Sequence, residues 1–163
     1  SVQFNMMAGA FTGGQGDYVT LFEPAATQVA ASGEGYILCS IGAESGRIPY
    51  TAYFASQSYT ARHDDVIAAF CRAIARALDW VDSHTDREVA EAILGQFPDT
   101  SLDTLTAVTA RHREIGAWNT PLTMEKASLE RLETVMTQAG ELTEEQWVDF
   151  DRLVDNHWAE AAR

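Results

Sequence analysis

Three short β-rich runs stand ahead of a long helical remainder, and that imbalance constrains the chain more than any single motif. The runs cover residues 18–22, 36–41 and 50–55; each is dense in aromatic and branched side chains and each is bordered by Gly or Pro. Ahead of the first run, Phe4, Met7, Ala8 and Phe11 recur at three- and four-residue spacing, and Gly13-Gly14 ends that short helix. Pro24 suits the first position of a helix running to Ala31, which Gly33 and Gly35 stop. From Tyr59 onward the pattern is helical. Asp64-Asp65 precedes a stripe of Ile67, Phe70, Cys71, Ile74, Leu78 and Val81, and Val89, Ile93 and Phe97 mark a shorter helix ending at Pro98. Ser101 opens a helix carrying Leu102, Leu105, Val108 and Ile115, and Thr123 opens one carrying Leu129, Leu132, Val135, Met136 and Ala139. Thr143 and Gln146 have the spacing of a capping box before Trp147, Phe150, Leu153, Val154 and Trp158. The order αβαββ, then about five helices, predicts an α/β chain with few strands. Three strands cannot cover so many apolar helix faces. The pattern therefore also predicts that a missing amino-terminal half, or another copy of the chain, completes the sheet. A start at Ser1, with no initiator Met and directly in an amphipathic segment, fits that expectation of a longer parent.

Charge narrows the partners. Twenty-four acidic residues against 11 basic ones give a net charge of −13 over 163 residues, which repels phosphate backbones, so nucleic acid is excluded as the expected partner. A composition of 46% hydrophobic and 21% charged residues is that of an ordinary folded domain, not of a disordered segment. No apolar run approaches the ~20 residues that span a bilayer, and residues 1–10 lack the basic start and long apolar stretch of a signal peptide. Cys39 and Cys71 are too few for a disulfide framework, and their apolar neighbours predict two small buried hydrophobes.

Patterns for catalysis and metal binding fall short. His63, His84, His112 and His157 are scattered, with no second histidine one helical turn away, and the expected place of His63 and His157 is a solvated surface. There is no Gly-x-Ser-x-Gly nucleophile turn and no phosphate loop ending in Gly-Lys-Ser/Thr. Gly13, Gly14 and Gly16 precede a β-rich run instead of opening a helix after one, so they do not form a dinucleotide fingerprint. Glu141, Glu144 and Glu145 read as a solvated face. The expectation is a non-enzymatic protein with no cofactor and no metal.

The most informative stretch is Gly13-Gly-Gln-Gly-Asp-Tyr-Val-Thr-Leu-Phe-Glu-Pro24, followed by Ile48-Pro-Tyr-Thr-Ala-Tyr53. Together with the element order, the segment from Ser58 to Val81 and the final Leu153-Val154-Asp155-Asn156, it resembles the solute-binding proteins of bacterial ABC importers. The resemblance is to the binders of sulfonates, nitrate and taurine and of thiamine-pyrimidine precursors, and to their carboxyl-terminal half. It implies a two-lobed α/β fold of the periplasmic-binding-protein type. Residues 1–35 would end the second lobe, 36–49 would be a hinge-crossing strand and turn, and 50–163 would be the mostly helical close of the first lobe. It further implies capture of a small-molecule ligand between lobes, delivery to an ABC permease, and a periplasmic or extracytoplasmic location with a lipid anchor at a missing amino terminus as one form.

Within that resemblance, strand ends and helix starts face the ligand cleft. Glu23 would accept hydrogen bonds from a ligand amine or ring N–H, or would merely cap the helix after it; the N–H groups of Ala25 and Ala26 would suit an anion instead. Thr20 lies on the same run. Tyr50, Thr51 and Tyr53 are the other wall candidates, with alternation sending Thr51 and Tyr53 to one face and Tyr50 to the other. Arg47, in the turn before them, offers a forked donor for a carboxylate or sulfonate, or is simply solvated. Two alternatives share the implied fold: a thiamine-pyrimidine-synthase-like enzyme, for which the expected cysteine cluster is lacking here, and a ligand-sensing module.

Overall fold

The computed structural model describes residues 2–118 and 122–162. In chain order its helices are α1 (Met7–Thr12), α2 (Ala25–Ala31), α3 (Ile41–Glu44), α4 (Gln57–Thr60), α5 (Asp64–Ser83), α6 (Asp86–Ile93), α7 (Leu102–Glu114), α8 (Lys126–Gln138), α9 (Phe150–Leu153) and α10 (His157–Glu160), with 3-10 turns at Phe4–Met6, Leu94–Gln96 and Glu144–Gln146. They fall into two compact units. Unit 1 joins Ser1–Ile41 to His84–Ala117, and unit 2 joins Gly42–Ser83 to Trp118–Arg163.

No β-strand forms among the described residues, which overturns the α/β expectation and with it the periplasmic-binding-protein-like architecture. Residues 18–22, 36–40 and 50–55 lie outside regular structure, and α3 takes over at Ile41. The physical reason is the absence of neighbours. β-propensity measures how well side chains fit a pleated, half-buried surface, and a run becomes a strand only when another exchanges N–H and C=O groups with it. Here the second and third runs are left largely exposed, with Tyr36, Leu38, Tyr50, Tyr53 and Phe54 among the most accessible large side chains, Phe54 at 97%.

Unit 1 is built on α6 and α7. Thr85 opens α6 with a full capping box: its hydroxyl accepts from the Glu88 N–H, and the Glu88 carboxylate accepts from the Thr85 N–H at 2.9 Å. Ser101 caps α7 by accepting from the Thr104 N–H, as its position in the sequence predicts. The two helices pack together through Val89, Ala90, Leu105 and Thr109, all buried. Arg113 then ties them at one end, its Nε donating to Asp86 at 2.9 Å and its Nη2 to the His84 carbonyl at 2.9 Å. α1 and α2 pack on each other at Gly35, where a Cβ would come within 2.9 Å of the Phe11 ring and 3.0 Å of Val29. That close approach is the reason for a glycine there beyond ending a helix.

Unit 2 is built differently. Helix α5 has the amphipathic stripe its sequence predicts, yet none of its residues is buried. The buried side chains of this unit sit on α8: Ser128, Leu129 and Glu133. The long final helix expected over the Trp147 to Trp158 stripe is replaced by a 3-10 turn and two short helices. The Thr143–Gln146 capping box does form, but the chain leaves it extended at Trp147. Side-chain bonds to α8 hold it there, the Trp147 indole donating to Thr137 at 2.9 Å and the Val148 N–H to Glu133 at 3.0 Å. Asn156 brackets Met124 with two bonds, and the Trp158 indole donates to Asp64 at the start of α5 at 2.8 Å. The expectation of two buried cysteines is not met: Cys39 is exposed, and Cys71 is only partly covered, enough to push its thiol pKa up. No helix among the described residues is long and apolar enough to cross a membrane.

Candidate functional site

The candidate residues divide between the units. Thr20 and Glu23 belong to unit 1, and Arg47, Tyr50, Thr51 and Tyr53 to unit 2. Within unit 1, Glu23 ends the irregular run, joined to Pro24 by a cis peptide bond, and its side chain turns back over the start of α2. One carboxylate oxygen, Oε2, accepts from the Thr27 N–H at 3.0 Å. The other, Oε1, accepts from Arg111 Nη1 of α7 at 2.8 Å, and the same Nη1 donates to the Thr27 hydroxyl at 3.0 Å. Thr27 is itself buried, and the Glu23 side chain is only 15% exposed. Three bonds thus close a ring of Glu23, Thr27 and Arg111 that fastens α2 to α7.

This ring accounts for both carboxylate oxygens of Glu23. One is engaged in the capping role and the other in an ion pair that nothing local to Glu23 predicts. The Ala26 N–H, offered as an anion donor, instead closes a turn onto the Phe22 carbonyl at 3.1 Å. Arg111 is the residue that sequence reasoning missed. It is separated from Glu23 by 88 positions, and its place in the last turn of α7 is already accounted for by the helix dipole. Thr20 stays exposed on the irregular run.

In unit 2, Arg47 pairs with Glu125 at 2.6 Å, both side chains being more than half exposed, and the Arg47 carbonyl accepts from Arg131 Nη1 at 2.7 Å. Tyr53 sets its ring edge-on to Phe70 of α5, centroids 4.8 Å apart. Tyr50 and Thr51 are exposed as well, so strand alternation assigns neither face a buried role. A shallow groove of about 270 Å³ runs between α8 and residues 147–150, lined by Leu129, Glu130, Glu133, Trp147 and Phe150 among others.

The histidines have local partners. His63 lies against the Tyr59 ring, His112 Nδ1 is 2.9 Å from the Val108 carbonyl, and His157 Nδ1 is 2.6 Å from Asp155. The hydrogen bonds from His157 hold the Asp155 carboxyl below the usual range. Among the described residues no group of three or more His, Cys, Asp or Glu side chains is placed to hold a metal ion.

Comparison with known proteins gives a sequence relative. The chain is 34% identical over 160 residues to "Putative binding protein YtlA" of Bacillus subtilis (strain 168), a match covering 98% of this chain and 47% of that protein. The chain therefore spans about half the length of the curated relative it matches. No family model and no solved structure matches it.

Proposed function

We propose that this chain is part of the substrate-binding component of an ABC importer, a protein that captures a small organic solute outside the cytoplasm and delivers it to a permease without transforming it. The observation that carries the reading is the match along 98% of the chain to a protein described as a binding protein. The Gly13 to Pro24 stretch supports it through the family resemblance it bears. The match to only 47% of the relative supports a second element of the proposal, that further polypeptide covers residues 36–40 and 50–55 in the working protein. Their exposed Tyr36, Leu38, Tyr50 and Phe54 are surfaces that a folded domain ordinarily covers.

Native mass spectrometry of the protein lengthened to the span of the Bacillus relative tests both elements. The expected result is a small molecule carried through purification and released on denaturation, together with hydrogen-exchange protection of residues 36–40 and 50–55 that the 163-residue chain lacks. A lengthened protein that carries nothing, and binds nothing from a panel of small organic solutes by calorimetry, would overturn the binding reading. Unprotected segments would overturn the covering one.

A further inference from the structure

The geometry points to Arg111, not Glu23, as the polar group that unit 1 offers to a ligand, and to a carboxylate, sulfonate or phosphate as the group it takes. This inference rests on the binding reading above and adds the ligand's charge to it.

Glu23 is closed to a ligand amine. Its two oxygens already accept from Arg111 Nη1 and the Thr27 N–H, and little of its side chain reaches water. An ammonium group could bind there only by displacing Arg111, leaving a guanidinium without its counter-ion. Breaking one side of a partly buried pair in this way is strongly unfavourable. Arg111 is in the opposite condition. Its side chain is 34% exposed, and its bonds among the described residues all leave from Nη1, to Glu23 and to Thr27. The remaining donors, Nε and Nη2, share one edge of the guanidinium plane. Two parallel N–H groups on one edge match the two oxygens of a carboxylate, sulfonate or phosphate.

Two features suit this edge to recognition. First, the bonds from Nη1 to two partners fix the plane, so little side-chain freedom remains to be lost on binding. Second, Glu23 balances the charge of Arg111, so attraction comes from directional hydrogen bonds and not from net charge, in a chain whose overall charge of −13 repels anions at long range. Lysine in the same place would keep the pair with Glu23 and lose the fork.

The test is nitrogen-15 NMR of the arginine side chains in the 163-residue chain, titrated with methanesulfonate and acetate, with methylammonium as the opposite-charge probe. The expected result is a saturable shift of the Arg111 Nε–H with both anions and none with methylammonium. In Arg111→Lys, anion affinity read from the backbone amides of Thr27 and its neighbours should fall about tenfold or more, while the rest of the amide spectrum stays in place. In Glu23→Gln, which releases the full charge of Arg111, anion affinity should rise. An Arg111 signal that either anion leaves unmoved, or that moves no more than those of the other arginines, overturns the assignment. Native mass spectrometry separates this from the binding reading: a carried ligand that is cationic, with an affinity unchanged by Arg111→Lys, refutes the role of Arg111 while the binding function stands.

Discussion

Helices α6 and α7 and the helix α5 carry equally legible apolar stripes, yet the first two close a core and the third does not. Val89, Ala90 and Leu105 are nearly inaccessible, whereas Phe70 on α5 remains 41% exposed and no residue of α5 is buried. Amphipathicity states which face of a helix seeks cover and is silent on whether cover exists. A short connection lets α6 and α7 find each other, and Arg113 fixes the end of the pair. The stripe of α5 is partly covered, with Tyr53 edge-on to Phe70 and the short helix α10 packed against it.

The contrast can be broken most forcefully at Leu105. It is 1% exposed, and Leu105→Ala should cost about 2–5 kcal/mol through lost transfer energy and the cavity left behind. Urea unfolding followed by amide signals of unit 1 measures this, and a cost under about 1 kcal/mol would mean that the α6–α7 core is not closed. Next comes Arg111→Gln, which strands the mostly covered Glu23 carboxylate. Because Arg111 is one-third exposed, the expected cost is about 1–2 kcal/mol, below that of a fully buried pair. The same denaturation series reads it, and Glu23→Gln/Arg111→Gln together should recover part of the loss.

Removing the cap of α6 by Thr85→Ala should cost about 1 kcal/mol, seen as faster hydrogen exchange in the first turn of α6. Phe70→Ala should cost about 1 kcal/mol or less in the 163-residue chain, since Phe70 is already 41% exposed and meets Tyr53 edge-on. In the protein lengthened to the span of the Bacillus relative the same change should cost about 3 kcal/mol, as for a buried aromatic. Equal costs in the two proteins would show that nothing covers α5.

The smallest effect is on pH dependence. The side-chain and backbone hydrogen bonds from Thr85 hold the Glu88 carboxyl below its ordinary value of 4.5. A depressed folded pKa means that the contribution is present above 4.5 and is lost as pH falls through the lower folded value. The first turn of α6 should therefore loosen on acidification through that window, and Thr85→Ala should flatten the change. An acid response at α6 that is the same in both proteins would remove Glu88 from the explanation.

Much of the local structure was legible. Helix periods at Ile67 to Val81 and at Leu102 to Val108, the cap at Ser101, and the capping box of Thr143 with Gln146 all depend on residues within a turn of one another. The candidate site was legible only in part. Glu23 stood out because it precedes Pro24 and a helix start, but its partner Arg111 lies far along the chain, and nothing local to either residue announces the pair.

The sequence by itself determined where helices start, which faces they offer, and that the chain repels polyanions, because propensity, capping and net charge act over a few residues or over the whole composition. Tertiary structure alone decided that residues 18–22, 36–40 and 50–55 remain without a ladder, that α5 buries none of its residues fully, and that Glu23 pairs with Arg111. Those outcomes depend on which distant segment arrives alongside. A β-rich run can specify its own shape but not the neighbour that would make it a strand.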